Sequence, residues 1–242
     1  MDSKVEFLFL NEEDMIKAGV LDADRAVDTI GEVITLLSEG DYLMGGRAHN
    51  DHGVQLIFPE KSDIPNFPLA DSADRRFMAM PAYLGGRFHM CGEKWYGSNG
   101  RNSHKGLPRS ILMATLNDVE TGQPLAYMSA NLLSAMRTGA MPGLTAMYLA
   151  RKDSKVLTIL GAGVIGRTSL MAIMAKFPNL EVLKIKGSSK TSHTAHELAD
   201  YARENYKSLK EIIICDTLEV AVRDADIIAE AVSVEPRKWP VI

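Results

Sequence analysis

The sequence is poor in cysteine and in aromatic residues, and it has no long apolar run. Of its 242 residues only Cys91 and Cys215 are cysteines, and 7% are aromatic. Two distant cysteines in strand-like segments make no disulfide framework, so we expect both to be reduced thiols of a cytoplasmic protein. No apolar stretch reaches the length of about 20 residues that a membrane-spanning helix needs. The first residues also lack the basic segment and apolar core of a signal peptide.

The sequence has no excess of positive charge either. It contains 27 Lys and Arg against 31 Asp and Glu, which gives a net charge of −4. A protein that binds nucleic acid or an anionic membrane surface usually carries a basic patch, so we expect neither partner. With 46% hydrophobic and 24% charged residues, the composition is typical of a soluble globular protein. The length suits one large domain or two modest ones.

The first half of the chain predicts a β-rich α+β domain. A short strand at residues 7–10 precedes Asn11, which has the character of a helix N-cap, and helical periodicity runs from Asp22 to Glu39. Residues 59–76 are rich in Pro and Asp and have no periodicity, so we interpret them as a lid or a mobile loop. The further strands are predicted at residues 54–58, 77–84, 88–96, 110–116 and 124–129.

The second half of the chain predicts parallel βαβ units. A helix is expected at residues 131–150, where Pro142 should kink it or limit its first turn. Strands that alternate with helices form a parallel sheet that is covered on both faces. The strands are predicted at residues 156–160, 181–186, 211–215 and 226–230, and the helices at residues 164–176, 191–206 and 217–223.

A glycine-rich turn joins the first of these strands to its helix. Gly161, Gly163 and Gly166 form a G-x-G-x-x-G pattern directly after an apolar, β-branched strand. The first glycine permits a tight turn, the second lets the backbone approach a pyrophosphate, and the third permits close packing of helix on strand. With Val164 and Ile165 between the glycines, the helix N-terminus offers N–H groups to phosphates. The alternative is a tight turn that binds nothing.

The segment KIKGSSK marks the end of the second strand of this half, where many dinucleotide-binding proteins carry an acid for the ribose hydroxyl. Here the positions hold Ser188, Ser189 and Lys190. An acid would repel a 2′-phosphate, whereas these residues offer it donors and positive charge. The pattern therefore favours NADP(H) over NAD(H), and the alternative is a polar strand end without a ligand. The fold class predicted is α/β, with a Rossmann-type doubly wound parallel sheet, incomplete in this chain.

Three cations stand in apolar or glycine-rich surroundings: Arg47 in GGRAHN, Lys94 in CGEKWYGSN and Arg137 in SAMRTGA. Each one alone is more typical of a solvated charge than of a ligand. With the motifs around them, however, they resemble the ornithine cyclodeaminase/mu-crystallin family over essentially the whole chain. The motifs, in order, are Arg47, MPAYLGG (80–86), Lys94, GLP (106–108), NDVETGQPLA (117–126), RTGA (137–140) and GAGxxG (161–166).

The resemblance implies roles for these cations. Arg47, Lys94 and Arg137 match the positions that hold the substrate carboxylate, and Arg137 also lies close to the cofactor. It further implies a substrate-binding and dimerisation domain at residues 1–129, a dinucleotide-binding domain at residues 130–242, and a homodimer formed through the first half. His49 and His52, beside Arg47, are further candidates for substrate contact. The family oxidises or reduces a carbon that bears nitrogen and is attached to a carboxylate.

Three departures from the family pattern qualify the resemblance. Arg109 follows GLP where the family commonly has a threonine near the cofactor phosphates, so we expect a contact of Arg109 with phosphate instead. Gly139, Pro142 and Gly143 are expected to interrupt the helix that carries Arg137. The chain ends with EPRKWPVI after four strands of the sheet, and the family's catalytic aspartate is expected beyond Ile242, which indicates a fragment of a longer protein or a truncated relative.

We therefore expect an ornithine cyclodeaminase-like enzyme that uses bound NAD(P) and acts on a small amino or imino acid. The type reaction that the resemblance implies is the conversion of L-ornithine to L-proline and ammonia. The alternatives are a ketimine reductase or an amino-acid dehydrogenase of the same family, or a non-catalytic protein that binds NADPH and a small molecule. His193 and His196 share a predicted helix but lack a third ligand nearby, so we expect no metal.

Overall fold

The computed structural model describes residues 4–72 and 74–232. The chain divides into two compact units: the first comprises the chain up to Gly19 together with Glu32–Ser134, and the second comprises Val20–Gly31 together with the chain from Ala135 onward. The elements, in order, are β1 (Leu8–Leu10), α1 (Glu12–Lys17), α2 (Ala23–Glu39), β2 (Tyr42–Met44), β3 (Val54–Ile57), β4 (Arg76–Leu84), β5 (Met90–Ser98), a 3-10 helix (Gly100–Lys105), β6 (Ser110–Asp118), β7 (Pro124–Ser129), α3 (Asn131–Leu149), β8 (Val156–Leu160), α4 (Val164–Lys176), β9 (Val182–Lys186), α5 (His193–Asn205), β10 (Glu211–Ile214), α6 (Leu218–Val222) and β11 (Ile227–Glu230).

The first unit is built on one mixed sheet. Its strands follow the order β1-β7-β6-β5-β4-β2, with β3 also paired to β4, and only the β1–β7 pair among the described strands is parallel. Successive side chains of a strand point to opposite faces. One face buries Met78, Leu112 and Met128, whereas the other exposes Phe77 and Trp95.

The second unit contains a four-stranded parallel sheet in the order β10-β9-β8-β11. Its central strands are fully buried at Leu157, Ile159, Leu183 and Ile185, which is the pattern of a parallel sheet covered on both faces. The Rossmann-type α/β fold predicted from the alternating pattern is confirmed. Each predicted strand and helix of this unit is present, with bounds that differ by at most a few residues.

Helix α3 runs through Pro142 without a break, so the predicted interruption by Gly139, Pro142 and Gly143 is wrong. The two glycines are packing positions instead. A Cβ on Gly139 would lie 2.4 Å from the Oγ1 of Thr168 in α4, and a Cβ on Gly143 would lie 2.8 Å from the side chain of Ala172. The glycines therefore let α3 approach α4 at a distance that no larger residue permits.

The first unit departs from the prediction at its turns. The strand expected from residue 88 begins at Met90, because the chain still turns at His89, whose φ is +38°. The three-residue strand β2 and the 3-10 helix have no counterpart among the predicted elements. The irregular segment 59–72 is attached at its end to the residues that follow β5. The Ser72 hydroxyl donates to the Asn99 side chain at 3.1 Å and accepts from the Gly100 N–H at 3.2 Å. The segment EPRKWPVI lies outside the described residues.

No helix in the described part of the chain is long and apolar enough to span a membrane. Cys91 and Cys215 are both free thiols, and burial raises the pKa of Cys215.

Candidate functional site

The glycine turn of the second unit has the close geometry that its spacing predicts. Gly161 has a φ of +91°, and a Cβ at this position would lie 2.5 Å from the carbonyl oxygen of Ala231. A Cβ on Gly166 would lie 2.0 Å from the carbonyl oxygen of Gly161. Both positions therefore require glycine, the first for its conformation and the second because α4 packs directly on the turn.

Gly163 differs from the other two glycines because open space surrounds it. A Cβ built there meets no atom within 4 Å among the described residues, and its backbone is in an extended conformation that any residue adopts. It is the N-cap of α4 and supplies no side-chain cap, so the first N–H groups of the helix remain available to an anion. The following Val164 is 66% exposed, which leaves this helix end accessible. The residues present thus fit a dinucleotide pyrophosphate.

The loop after β9 places three polar side chains at the carboxyl end of the neighbouring strand. Ser188, Ser189 and Lys190 are all exposed. The loop is compact, because the Ser192 N–H donates to the Ser189 carbonyl at 3.1 Å and the Ser189 and Thr191 hydroxyls lie 3.2 Å apart. The loop from Gly187 to Ser192 contains no acid, so it offers donors and one positive charge to a ligand.

Arg137 lies on α3, within the second unit. The residue keeps much exposed surface, yet desolvation of its guanidinium lowers the pKa of Arg137 from its ordinary value. An arginine remains protonated in proteins, so the side chain is a cation that has lost part of its hydration. A partly desolvated guanidinium binds a carboxylate or phosphate more strongly than a fully hydrated one.

Arg47 stands at the tip of a tight turn in the first unit. Gly46 has a φ of +85° and His49 a φ of +55°, and the His49 N–H donates to the Gly46 carbonyl at 3.3 Å. The Asp51 carboxylate fills the space where a Cβ on Gly46 would lie, 1.7 Å away. The turn thus presents Arg47 to solvent, and His49 and His52 are exposed beside it.

Lys94 lies on β5, on the sheet face that also carries Tyr96. The β4–β5 register pairs Met80 with Lys94 and Arg76 with Ser98, so Arg76 lies on this face as well. The Lys94 Nζ is 5.8 Å and the Arg76 Cζ 5.5 Å from the centroid of the Tyr96 ring. The Tyr96 hydroxyl accepts from the Ser110 hydroxyl at 3.1 Å, which restricts the orientation of the ring.

Asp74 connects this face to Arg109. The carboxylate lies 2.5 Å from Arg76 Nη1 and accepts the Arg109 Nε–H at 2.8 Å, and it also accepts from the Ser98 hydroxyl. One negative charge is therefore shared by two guanidinium groups. The contact of Arg109 with a cofactor phosphate stays a prediction, and the described structure places the Nε of Arg109 on Asp74.

The histidines of α5 make ordinary contacts. His193 Nδ1 lies 3.2 Å from the Glu197 carboxylate, and His196 Nε2 lies 3.2 Å from the Lys190 carbonyl. Within residues 4–72 and 74–232, no group of three His, Cys, Asp or Glu side chains is arranged to hold a metal ion.

The sequence pattern did not single out Arg76, Asp74 or Tyr96. Alternation along β5 from Lys94 would have placed Tyr96 on the same face. To place Arg76 on this face, one must know the register in which β4 pairs with β5. The sequence of the turn at residues 85–89 does not specify that register by itself.

Comparison with solved structures shows the same fold in two enzymes. The chain matches the Thermococcus litoralis Δ1-pyrroline-2-carboxylate reductase in complex with NADH and L-proline with a TM-score of 0.75 and 24% identity, covering 93% of this chain and 61% of that one. It matches an archaeal alanine dehydrogenase dimer with bound NAD with a TM-score of 0.74 and 28% identity, covering 93% of this chain and 60% of that one.

Comparison of sequences agrees with the structures. The chain is 37% identical over 178 residues to the N-((2S)-2-amino-2-carboxyethyl)-L-glutamate dehydrogenase of Staphylococcus aureus, a match that covers 73% of this chain. The chain spans about half the length of that relative, since the match covers 48% of it. The family model of the ornithine cyclodeaminase/mu-crystallin family matches residues 22–241. The chain therefore belongs to the ornithine cyclodeaminase/mu-crystallin family.

Proposed function

We propose that the protein is an NAD(P)-dependent oxidoreductase that exchanges hydride at the α-carbon of a small amino or imino acid. The observation that carries this proposal is the glycine turn, where Gly166 packs on Gly161 and the N-terminus of α4 stays open at Gly163. This geometry suits a pyrophosphate bound to the helix N-terminus. Relatives named as dehydrogenases and reductases of amino or imino acids support the same chemistry.

Arg47, Lys94 and Arg137 are proposed to hold the substrate carboxylate, and Arg137 also to contact the cofactor. A guanidinium can bind a carboxylate through two parallel hydrogen bonds, which fixes the orientation of the α-carbon. The partial desolvation of Arg137 strengthens such a contact. When bound, the nicotinamide supplies the redox chemistry, and the residues of this chain bind and orient the substrate.

We propose NADP(H) as the preferred cofactor. Ser188, Ser189 and Lys190 are exposed at the carboxyl end of β9 and offer donors and positive charge, with no acid in the loop to repel a 2′-phosphate. The related alanine dehydrogenase holds NAD, so similarity to relatives does not favour NADP(H). The proposed preference rests on this loop. Val164, Ile165 and the three glycines of the turn are proposed to approach the pyrophosphate. Arg109 stays a candidate for a phosphate contact.

The conversion of ornithine to proline, the type reaction that the resemblance implies, stays a prediction. It needs a group that moves protons at the substrate nitrogen, and we assign no residue of this chain to that role. The family's aspartate remains the expected group, and the carboxylate-binding cations would serve a dehydrogenase, a reductase and a cyclodeaminase equally.

A homodimer and a cytoplasmic location are parts of the same proposal. Phe77 and Trp95 stack with ring centroids 5.6 Å apart on the exposed face of the first sheet, and Ile111 is 46% exposed on that face. An apolar patch of this kind on a sheet typically marks a protein–protein interface. The related alanine dehydrogenase is described as a dimer.

The free thiols of Cys91 and Cys215 agree with a reducing compartment.

The test is to incubate the intact protein with a panel of amino acids and cyclic imines, and to follow both nicotinamide absorbance and product mass. Turnover of an amino or imino acid with a change in absorbance would support the oxidoreductase. Ornithine needs the mass measurement, because cyclodeamination regenerates the cofactor. Intact NADPH binding without turnover of any compound would contradict the proposal and favour a binding protein.

A further inference from the structure

Two cations, Lys94 and Arg76, lie near Tyr96 on one sheet face, whereas one cation is enough to pair with one substrate carboxylate. Lys94 precedes Tyr96 by two residues on β5, and Arg76 pairs with Ser98, two residues after Tyr96. The Lys94 Nζ and the Arg76 Cζ lie 5.8 and 5.5 Å from the ring centroid. Both belong to neighbouring strands of the same sheet, so their spacing is set by the backbone register. A small molecule that lies across the ring can therefore contact both cations.

The charge of Arg76 is only partly balanced by the protein. Its single carboxylate partner, among the described residues, is Asp74, and Asp74 also binds Arg109 Nε at 2.8 Å and the Ser98 hydroxyl. Two guanidinium groups thus share one negative charge. The side chain of Asp74 is only 13% exposed, so this shared carboxylate is largely removed from solvent.

The hydrogen bonds of Arg76 are incomplete as well. Within the described part of the chain, its Nε is buried and has no hydrogen-bond acceptor. Buried polar groups of folded proteins nearly always have a partner, and a charged donor without one is strongly unfavourable. The side chain as a whole is 33% exposed, so a ligand can reach the guanidinium. A ligand would meet the Nε–H only after a small rotation of the side chain.

We propose that Arg76 binds a second carboxylate of the substrate, and that the substrate class is amino or imino acids with an additional carboxylate. This inference rests on the proposed function, in which Lys94 holds the α-carboxylate. The rest of the substrate then crosses the Tyr96 ring, and its distal carboxylate meets Arg76. A guanidinium whose Nε–H has no hydrogen-bond acceptor can form the bidentate contact that a carboxylate makes.

The test compares two pairs of ligands that differ in one charge: L-glutamate with L-glutamine, and L-aspartate with L-asparagine. Binding is measured calorimetrically on the intact protein with NADPH present, since an amino acid and a reduced cofactor do not react. We expect the wild type to prefer the dicarboxylate of at least one pair. Arg76→Met should remove that preference, lowering the dicarboxylate affinity about tenfold or more, and leave the amide ligand unchanged.

Two further variants make the result specific. Arg76→Lys keeps a cation beside Asp74 but lacks the Nε–H, so it should fold as the wild type does and lose part of the preference. Arg87→Met removes an exposed arginine of the same unit, which pairs with Glu32 at 2.6 Å, and should change neither affinity. Thermal melting checks that each variant is folded.

The inference is overturned if the wild type prefers the dicarboxylate in neither pair, or if Arg76→Lys and Arg76→Met weaken both members of a pair equally. Hydride transfer with monocarboxylates alone, unaffected by Arg76→Met, would also overturn it and leave the proposed function intact. The proposed function fails separately if no compound of the panel is turned over. Repeating the ligand pairs without cofactor then still measures whether Arg76 selects the second carboxylate.

Discussion

A Cβ on Gly166 would lie 2.0 Å from the carbonyl oxygen of Gly161, so the third glycine of the turn is in direct contact with the first. Helix α4 cannot move away easily, because Leu170 and Ile173 on its inner face are fully buried. The close approach of the helix to the strand brings the helix N-terminus to the carboxyl end of β8. The same contact therefore determines both the packing of the unit and the position of its phosphate-binding end.

Replacement of Gly166 by Ala should lower both the stability of the unit and its affinity for the cofactor. The added methyl forces α4 away from the turn, which we expect to lower the free energy of unfolding by about 1–3 kcal/mol. Because the helix N-terminus moves with the helix, cofactor affinity should fall as well. Urea unfolding measures the first effect and fluorescence titration with NADPH the second.

Gly163→Ala is the matched control, since its methyl meets no described atom within 4 Å and its backbone suits any residue. We expect the free energy of unfolding to fall by less than about 1 kcal/mol, because alanine is a poorer N-cap than glycine but meets no steric obstacle here. Cofactor affinity should still fall, because the methyl occupies the space into which the pyrophosphate fits. Equal loss of stability in both variants would contradict the assignment of separate roles to the two glycines.

The loop after β9 should determine cofactor choice. Ser188→Asp places a negative charge where we expect a 2′-phosphate, so the affinity for NADPH should fall about tenfold or more relative to that for NADH. Lys190→Ala should lower NADPH affinity in the same direction by removing a cation. The measurement is fluorescence titration of each variant with both cofactors.

The control for this loop is Lys210→Ala, which removes a lysine that pairs with Glu181 at 2.5 Å, next to the opposite end of β9. It should leave the ratio of the two affinities unchanged. A wild type that binds NADH more tightly than NADPH would contradict the phosphate argument, whatever the variants show.

The second unit could be predicted almost completely from the sequence, and the reason is local. The turn at Gly161, the helix after Gly163 and the strand at Val182–Lys186 each follow from a short pattern, and parallel βαβ order leaves few ways to arrange them. The error concerned α3, where Gly139 was interpreted as a break. The role of Gly139 depends on Thr168, whose Oγ1 lies 2.4 Å from the Cβ position of Gly139, and this contact joins distant parts of the chain.

The first unit was less predictable because its features depend on register and turns. The positions of Arg47 and Lys94 were expected as substrate cations, but only the pairing of β4 with β5 shows that Arg76 shares a face with Lys94. Likewise, Asp74 and Arg109 are 35 residues apart, and no local pattern indicates their ion pair. Long-range pairing of this kind cannot be derived from periodicity alone.

Replacement of Lys94 or Arg47 by Ala should weaken substrate binding and spare the cofactor. Each change removes a cation that we expect to hold the substrate carboxylate, so KM should rise about tenfold or more. NADPH affinity should stay nearly constant, since both residues belong to the first unit and the glycine turn to the second. Steady-state kinetics and cofactor titration measure the two effects.

Glu93→Gln is the control for Lys94, because consecutive strand residues point to opposite faces of the sheet. It should change KM little. A collapse of cofactor binding in either alanine variant would show that the assignment of these cations to the substrate carboxylate is wrong.

Asp226 should make the stability of the second unit depend on pH. Its carboxylate accepts the N–H groups of Lys155 at 2.7 Å and Val156 at 2.9 Å, and Arg151 pairs with it. These contacts hold the pKa of Asp226 below its ordinary value of 3.8, backbone donors first and the arginine charge after them. The stabilisation is therefore fully present above the unfolded pKa and is lost as the pH falls through the lower folded pKa.

Asp226→Asn should consequently lower the free energy of unfolding by about 1–3 kcal/mol at neutral pH, and by less in acid, where the wild type has lost the same charge. Asp153→Asn is the matched control: Asp153 also faces Arg151, at 3.8 Å, but its side chain is 87% exposed, so its removal should change little at either pH. The measurement is urea unfolding of all three proteins between pH 3 and 7. Parallel stability curves for the wild type and Asp226→Asn across that range would contradict the role of this carboxylate, since the difference between them should narrow only if ionised Asp226 carries the stabilisation.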